Sequence, residues 1–457
     1  MASIKIAIYD LALHFIGGGQ RYICQIAQTL SKYHEVDLIS DKMIAKTKLE
    51  SAYGINLDKV NLICLNNTIN NLDSSDLRAR IKQNYNKFKN RVFNLLKNER
   101  IQNIYAKIEP LILQLFLKIT RMIFVLTLFQ KKYSLYELIR DRFFDFLKIK
   151  VIKNLYDRIE LLTLNSADRN KRMFISSLSK KYDIFINGEG GACWYINPQA
   201  KRNIMICHFP TPITNHKQSF VKHYEIYCNS TYTRKWIIRL WNVIPKGILY
   251  PPVNFFQNRL PKKNYILNSG RFIPIREQKK QLSLIKAFII LYNSGIKDYE
   301  LHLIGGTSEY YSQIKYLKTL VKLAEVYPIY FHFNVDHSIL GRYYQESKIF
   351  WNLVGLNVDE YKYPQDIEHF GMTTVESMQN YCVPIVYNKG GLKEIIAKDT
   401  INGFLVENIT SLIEKTKFLI ENESICKEMA LNAFKRGKEL SLENFKNHLL
   451  NIISGVS

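Results

Sequence analysis

The stretch IKIAIYDLALHFIGGGQRYICQIAQTLSKYHEVDLI, residues 4–39, decides the fold. It opens with a β-rich run at residues 4–9, which a glycine triplet, Gly17, Gly18 and Gly19, separates from the segment that follows. Apolar residues then recur at the spacing of one helix face, and a second apolar run occupies residues 36–39. Strand, turn, helix and strand in this order predict a βαβ unit, the building block of a parallel sheet.

The same alternation continues along most of the chain. Further strands are predicted at residues 60–65, 182–187, 203–208 and 224–229, and a second series at 265–272, 300–306, 329–335, 348–355 and 383–387. A proline-containing connector at residues 244–263 separates the two series. We therefore predict an α/β protein with two Rossmann-like domains, residues 1–250 and 251–424, facing each other across a cleft. The final helices, residues 425–457, are expected to pack back on the first domain.

A basic helical insertion interrupts the first domain at residues 77–162. Over residues 78–160 it carries 19 Lys/Arg against 7 Asp/Glu, which gives +12, half of the +24 of the whole chain. Lys118 and Arg121 divide its apolar centre, so the uncharged runs fall short of the roughly 18 residues that a spanning helix needs. The insertion is expected to lie on an anionic membrane surface or to pack on its domain.

Composition sets broader limits. With 457 residues and a 47% hydrophobic share, the chain is long enough for two or three globular domains. Its seven cysteines are scattered without a C-x-x-C pair, which argues against a disulfide framework or a zinc site. The amino terminus runs directly into a strand pattern without the parts of a signal peptide, so a cytoplasmic protein is expected.

Two segments are suited to an anion. The Gly17, Gly18 and Gly19 loop opens a helix, where free backbone N–H groups favour negative charge, although a plain tight turn explains it equally well. Arg271 ends a predicted strand, and Lys279 with Lys280 begins the next helix. Such cations can neutralise a diphosphate in place of a metal, and the chain has no Asp-x-Asp motif to hold one. Solvated surface cations are the alternative.

The sharpest pattern is EHFGMTTVESM, residues 368–378. Glu368 and Glu376 flank a glycine-containing turn and can face one pocket, where their carboxylates would bind the hydroxyls of a sugar and of a ribose. The amides of Gly371, Met372 and Thr373 begin the helix and are suited to phosphate oxygens. Two surface glutamates are the alternative interpretation, which the loop between them makes weaker.

At these residues the second domain resembles family 4 of the retaining glycosyltransferases, which have the GT-B fold. The resemblance rests on residues 270–272 (GRF), 279–281 (KKQ), 303–306 (LIGG), 368–378, 384–386 (PIV), 390–391 with Glu394, and 402–405 (NGFL). In the first domain it extends to residues 17–21 (GGGQR), 207–210 (CHFP), 229–233 (NSTYT) and 250–253 (YPPV). Together these segments cover most of the chain outside the insertion.

The resemblance implies a role for each matching residue. Arg271 and Lys279 would bind the donor diphosphate, with Lys280 as a substitute for Lys279. Glu368 would contact the transferred sugar, and Glu376 the ribose. His208 would lie beside the donor sugar and the acceptor hydroxyl, although a core histidine is equally compatible with its position. The first domain would then serve the acceptor and the second the nucleotide sugar, with no metal or other cofactor.

The implied reaction is hexose transfer from a nucleotide diphosphate sugar to a glycan or lipid-linked hydroxyl, with retention at the anomeric carbon. The form of the matching motifs favours GDP-mannose as the donor. The basic insertion favours peripheral contact with the inner face of the plasma membrane. A sugar-nucleotide epimerase shares this architecture and is the alternative enzyme. A nucleic-acid-binding protein would use the positive charge, but the chain lacks a recognisable motif for it, and no nucleic acid partner is expected.

Two residues depart from the family pattern. Tyr381 occupies a position where the family usually has glycine, which makes Asn380 the candidate for a left-handed helix cap. Asn352 replaces a frequent histidine after Trp351, so a donor contact from that loop is in doubt.

Overall fold

The computed structural model describes residues 3–15, 17–65, 171–188, 196–212, 221–253, 259–274, 278–307 and 311–455. The predicted insertion at residues 77–162 lies outside these ranges. Both sheets belong to one compact unit, Met1–Leu65 with Asp168–Ser457.

The first lobe is built on a parallel sheet of seven strands. They are β1 (Lys5–Asp10), β2 (Glu35–Ser40), β3 (Val60–Cys64), β4 (Ile184–Asn187), β5 (Arg202–Cys207), β6 (Glu225–Cys228) and β7 (Gly247–Ile248). Helices α1 (Gly18–Leu30), α2 (Lys46–Tyr53) and α3 (Thr231–Trp241) belong to this lobe. The strand order is β3-β2-β1-β4-β5-β6-β7, so the order reverses between β1 and β4.

The second lobe repeats this plan with six parallel strands. They are β8 (Lys263–Ser269), β9 (Glu300–Gly305), β10 (Ile329–Phe333), β11 (Ser347–Asn352), β12 (Val383–Tyr387) and β13 (Phe404–Val406), in the order β10-β9-β8-β11-β12-β13. After β7 the chain forms helices α4 (Gln281–Asn293), α5 (Tyr311–Ala324), α6 (His337–Glu346), α7 (Met372–Gln379), α8 (Leu392–Ile396), α9 (Ile409–Glu421), α10 (Glu423–Glu439) and α11 (Leu442–Ser454).

The apolar pattern of the opening stretch explains the first core. Ile6 and Ile8 on β1 are fully buried, as are Ile23, Ile26 and Leu30 along one face of α1. They belong to one hydrophobic cluster in which helix and sheet cover each other. The predicted α/β class with two parallel sheets is confirmed.

Every predicted strand is present, with ends that differ by up to a few residues. The short edge strands β7 and β13 were not predicted, because runs of two and three residues carry no periodicity. In an open parallel sheet the ligand crevice lies at the carboxyl ends of the strands, where the strand order reverses. In these two sheets that places it after β1 and β4, and after β8 and β11.

The last helix returns to the first lobe. Phe445, Leu449 and Ile452 on α11 are buried in the first-lobe hydrophobic cluster. Arg202 on β5 donates to the carbonyls of Ile452 and Ile453 at 2.6 and 3.0 Å, which fixes the end of α11 on the sheet. The preceding helix α10 instead packs on the second lobe, where Gln379 Nε2 donates to its Gly437 carbonyl at 2.9 Å. The chain therefore crosses between the lobes twice.

Candidate active site between the two lobes

The glycine loop of the first lobe contacts residues from both lobes. A Cβ atom added at Gly17 would lie 3.8 Å from Arg271 Nη1, and one at Gly18 would lie 3.5 Å from Met372 Sδ. One added at Gly19 would lie 3.5 Å from His208 Nε2. Side chains at these positions would enter the space between the lobes, so the loop lines the cleft.

Arg271 lies two residues after β8, the first strand of the second lobe, and Lys279 lies two residues before α4, its first helix. The backbone at Arg271 is held by Gln281, whose Nε2 donates to the Arg271 carbonyl at 3.1 Å. Lys279 Nζ lies 2.8 Å from Glu368 Oε2 and forms an ion pair with it. Lys280 takes the N-cap position of α4 with a left-handed φ of 58°, and the ion pair with Glu368 belongs to Lys279.

The backbone carbonyl of Glu368 is held in place by two glycines, Gly390 and Gly391. Gly391 N donates to the Glu368 carbonyl at 2.8 Å, and a Cβ atom at Gly390, where φ is +63°, would lie 2.3 Å from that same oxygen. Only glycine permits this approach. Burial pushes the pKa of Glu368 upward, but the Lys279 ammonium, with His369 and Asn352, outweighs it and holds the pKa below its usual range. Glu368 is therefore ionised at neutral pH.

The start of α7 lies directly behind Glu368. Gly371 is its N-cap, with φ of +108°, and accepts hydrogen bonds from the amides of Thr374 and Val375 at 2.9 and 3.3 Å. The amides of Met372 and Thr373 belong to the first turn, which has no acceptor within a helix. Those two amides are the ones in this turn that suit a ligand oxygen.

Glu376 lies one turn further along α7 and is 2% exposed. Its Oε2 accepts a hydrogen bond from the Tyr344 hydroxyl at 2.8 Å. Its Oε1 accepts one from Nη1 of Arg21, a first-lobe residue on α1. Sequence reasoning missed Arg21 as a site residue, although the Gly17 to Arg21 segment was among those that carry the resemblance.

Two imidazoles border the same cleft. Burial lowers the pKa of His208 to about 4 and that of His369 to about 4, so both rings are neutral at pH 7. Each makes a ring hydrogen bond to a backbone group, at Gly188 and at Gln365. The Nε2 atoms of both are shielded from water and have no hydrogen-bond partner within the described ranges.

His369 was also missed from the sequence, although it follows Glu368 directly. Its ring stacks on Phe209 of the first lobe, with ring centres 4.2 Å apart and planes inclined by 12°. The described contacts between the lobes continue at Thr231, whose backbone N donates to Glu394 Oε2 at 2.8 Å. Burial raises the pKa of Glu394 despite this hydrogen bond.

The expected left-handed cap at Asn380 is wrong. Asn380 has φ of −109°, and Tyr381 itself takes the left-handed conformation with φ of 57°. The Asn380 side chain donates to the Glu376 carbonyl at 2.8 Å, which keeps its backbone close to the helix. The Tyr381 ring stacks on Phe434 with ring centres 4.1 Å apart, and the Arg259 guanidinium lies 4.1 Å from the same ring, so packing offsets the strained backbone.

Asn352, the second departure, lies at the end of β11 and is buried. Its Nδ2 donates to Thr374 Oγ1 at 3.2 Å, and its Oδ1 accepts from the Val354 amide at 3.1 Å. These contacts join β11 to the first turn of α7, so Asn352 supports the backbone around the site. Across the described part of the chain, no group of three or more His, Cys, Asp and Glu side chains is arranged to hold a metal ion.

Comparison with known proteins agrees with the two-lobe fold. Residues 252–436 match the family model described as glycosyl transferases group 1. A glycosyltransferase from Rickettsia africae ESF-5 aligns with a TM-score of 0.59 at 16% identity, covering 100% of this chain and 99% of that one, which shows a shared fold. The second lobe thus matches the group 1 glycosyltransferase model, and the chain as a whole has the GT-B fold.

The chain is also similar in sequence to two characterised proteins. The trehalose synthase of Thermococcus litoralis is 31% identical over 136 residues, which is 28% of this chain and 28% of that protein. The human alpha-1,3/1,6-mannosyltransferase ALG2 is 25% identical over 321 residues, 60% of this chain and 74% of that protein. The chain thus matches little more than a quarter of the trehalose synthase, and its own substrates do not follow from either name.

Proposed function

We propose that the protein transfers a hexose from a nucleotide diphosphate sugar to a hydroxyl group, with retention at the anomeric carbon. One observation carries the proposal: the Lys279–Glu368 ion pair lies in a cleft that the Gly17 loop, Arg271 and His208 also border. A cation for the leaving group and an ionised carboxylate for the sugar are thereby adjacent, which suits group transfer from a diphosphate.

Each residue has a role in this proposal. Arg271 and Lys279 neutralise the diphosphate, and the amides of Met372 and Thr373 bind its oxygens. Glu376 accepts hydrogen bonds from the ribose hydroxyls. Glu368 faces the transferred sugar, where its negative charge stabilises the positive charge that develops at the anomeric carbon.

The acceptor hydroxyl enters on the same face of the sugar that the diphosphate leaves. In this front-face displacement, the departing phosphate oxygen takes the proton of the incoming hydroxyl. A neutral His208 supports this path, because its Nε2 lone pair can accept a hydrogen bond from a hydroxyl and position it without carrying charge. The protein contributes mainly position and electrostatics.

GDP-mannose is the favoured donor. The similarity to a protein named as a mannosyltransferase supports this choice. The proposed acceptor is a glycan or a lipid-linked precursor at the inner face of the plasma membrane. Every helix in the described ranges is too short or too polar to span a bilayer. The charge of +12 over residues 78–160 supports a peripheral contact with anionic lipid. Sedimentation with vesicles that does not depend on anionic lipid would count against that contact.

Thermal unfolding in the presence of individual nucleotide sugars tests the donor, because a ligand that binds the folded state raises the unfolding temperature. The sugar that stabilises most should then release its nucleoside diphosphate when an acceptor is supplied, and the product should keep the anomeric configuration of the donor. If no nucleotide sugar stabilises the protein, the proposal fails. Formation of an epimerised nucleotide sugar without acceptor consumption would identify the epimerase alternative instead.

A further inference from the structure

Arg21 is a buried cation that spans the cleft from the first lobe. It lies in the first turn of α1, where its amide donates to the Gly17 carbonyl at 3.0 Å. Its side chain is buried, and Nη1 pairs with Glu376 of the second lobe, also buried. The pair is therefore one of the points where α1 of the first lobe meets α7 of the second.

The pairing with Glu376 leaves most of the guanidinium unused. Its Nε and Nη2 atoms are shielded from solvent, and the described residues offer neither of them a hydrogen-bond acceptor. Buried N–H donors of a charged group are almost always satisfied in a folded protein. Two unsatisfied donors on one guanidinium therefore indicate a ligand that supplies oxygen atoms.

The surroundings indicate which ligand this is. Arg21 follows Gly17 by one helical turn, and a Cβ atom added at Gly17 would lie 3.8 Å from Arg271 Nη1. Two guanidinium groups thus flank the glycine loop, with the Lys279 ammonium in the same cleft. A planar guanidinium matches the paired oxygens of a phosphate or of adjacent hydroxyls.

We infer that Arg21 is a donor-binding residue contributed by the first lobe, whose Nε and Nη2 bind oxygens of a nucleoside diphosphate while Nη1 stays on Glu376. This inference rests on the proposed function. It means that the nucleotide is bound by both lobes, and not by the second lobe alone.

The inference is tested by measuring the dissociation constants of GDP and UDP by calorimetry. We expect Arg21→Met to weaken the nucleotide that wild type binds by at least tenfold. Arg21→Lys should also weaken it, because lysine keeps the charge toward Glu376 but lacks the planar fork. Arg234→Met, an exposed arginine on α3, is the matched control and should bind as wild type does.

A double-mutant cycle separates a ligand contact from mere support of Glu376. If Arg21 touches the nucleotide, Arg21→Met should still weaken binding at least tenfold in a Glu376→Gln background. No additional loss in that background would overturn the inference and leave Arg21 as support for Glu376. Thermal unfolding of each variant establishes that it is folded. If Arg21→Met does not fold, Arg21→Lys replaces it in the binding measurements. If wild type binds neither GDP nor UDP nor any other nucleoside diphosphate, the proposed function itself is wrong. If wild type binds a nucleotide and Arg21→Met binds it equally well, only the inference about Arg21 is wrong.

Discussion

Lys279 Nζ lies 2.8 Å from Glu368 Oε2, so the side chain proposed to bind the diphosphate contacts the one proposed to bind the sugar. The ammonium keeps the carboxylate ionised although Glu368 is largely buried. If a donor binds as proposed, the Lys279 ammonium interacts with the phosphate as well as with Glu368. The negative charge of Glu368 beside the sugar is then less completely neutralised. Under the proposed function, the ion pair would therefore link donor binding to the electrostatics of transfer.

Replacing Glu368 by Gln should lower kcat by about 100-fold or more, because the negative charge beside the anomeric carbon is lost while the shape remains. The unfolding temperature should change little. Initial rates of nucleoside diphosphate release at saturating donor measure this. Glu360→Gln is the control, since Glu360 pairs with Lys235 and not with the site. Turnover near that of wild type in a folded Glu368 variant would remove this residue from the mechanism.

Replacing Lys279 by Met should raise the pKa of Glu368, because burial then acts without the opposing ammonium. We expect the acid limb of the pH–activity profile to move to higher pH, together with a rise in donor KM of roughly tenfold. Full pH profiles of kcat and kcat/KM are the measurement. Lys286→Met, an exposed lysine on α4, should leave the profile in place. An acid limb that stays at the wild-type pH would contradict the coupling.

The depressed pKa of His369 makes the folded protein sensitive to acid. Its pKa falls from the usual 6.5 to about 4, so the unfolded chain binds the proton first as the pH drops. The free energy of unfolding should therefore decrease below pH 6.5 and level off near pH 4. His369→Gln should remove part of this decrease, on the order of 1–3 kcal/mol. Urea titrations at several pH values measure it, with exposed His223→Gln as control. Equal pH dependence in both variants would refute the assignment.

Gly371 and Gly295 offer a matched pair, because both have φ of +108°. A Cβ atom at Gly371 would lie 2.8 Å from Leu392 Cδ2, whereas at Gly295 nothing lies within 4 Å. Gly295→Ala should cost about 1–3 kcal/mol for the backbone conformation alone. Gly371→Ala should cost more, because the start of α7 must also shift, and it should weaken donor binding. Denaturation midpoints and nucleotide affinities test both. Equal costs would mean that Leu392 moves aside freely.

The regular part of this fold was predictable from the sequence, and so were the segments that supply the candidate site of the second lobe. Parallel strands buried on both faces give strong apolar runs, such as residues 4–9, which match β1 within one residue. Arg271, Lys279 and Glu368 lie in segments with sequence signatures, and strand ends bring such segments to one edge of a sheet. Their proximity therefore follows once the topology is known.

The contacts across the cleft were not predictable in the same way. The Arg21–Glu376 pair joins residues that are 355 positions apart, and no local pattern reports such a pairing. The backbone of Tyr381 was missed for a related reason: the ring contacts with Phe434 and Arg259 offset the strain of a left-handed tyrosine, and both partners are distant in sequence. Tertiary packing outweighed the local preference for Asn at that turn.

The return of α11 to the first lobe affects how the protein can be divided. The family match ends at residue 436, but Phe445, Leu449 and Ile452 beyond it cover apolar surface of the amino-terminal sheet. A chain cut at that residue would leave this surface open to water, so we expect it to aggregate even with every residue of the site intact. Helix α11 thus covers the first lobe, whose core stays incomplete until α11 has been synthesised.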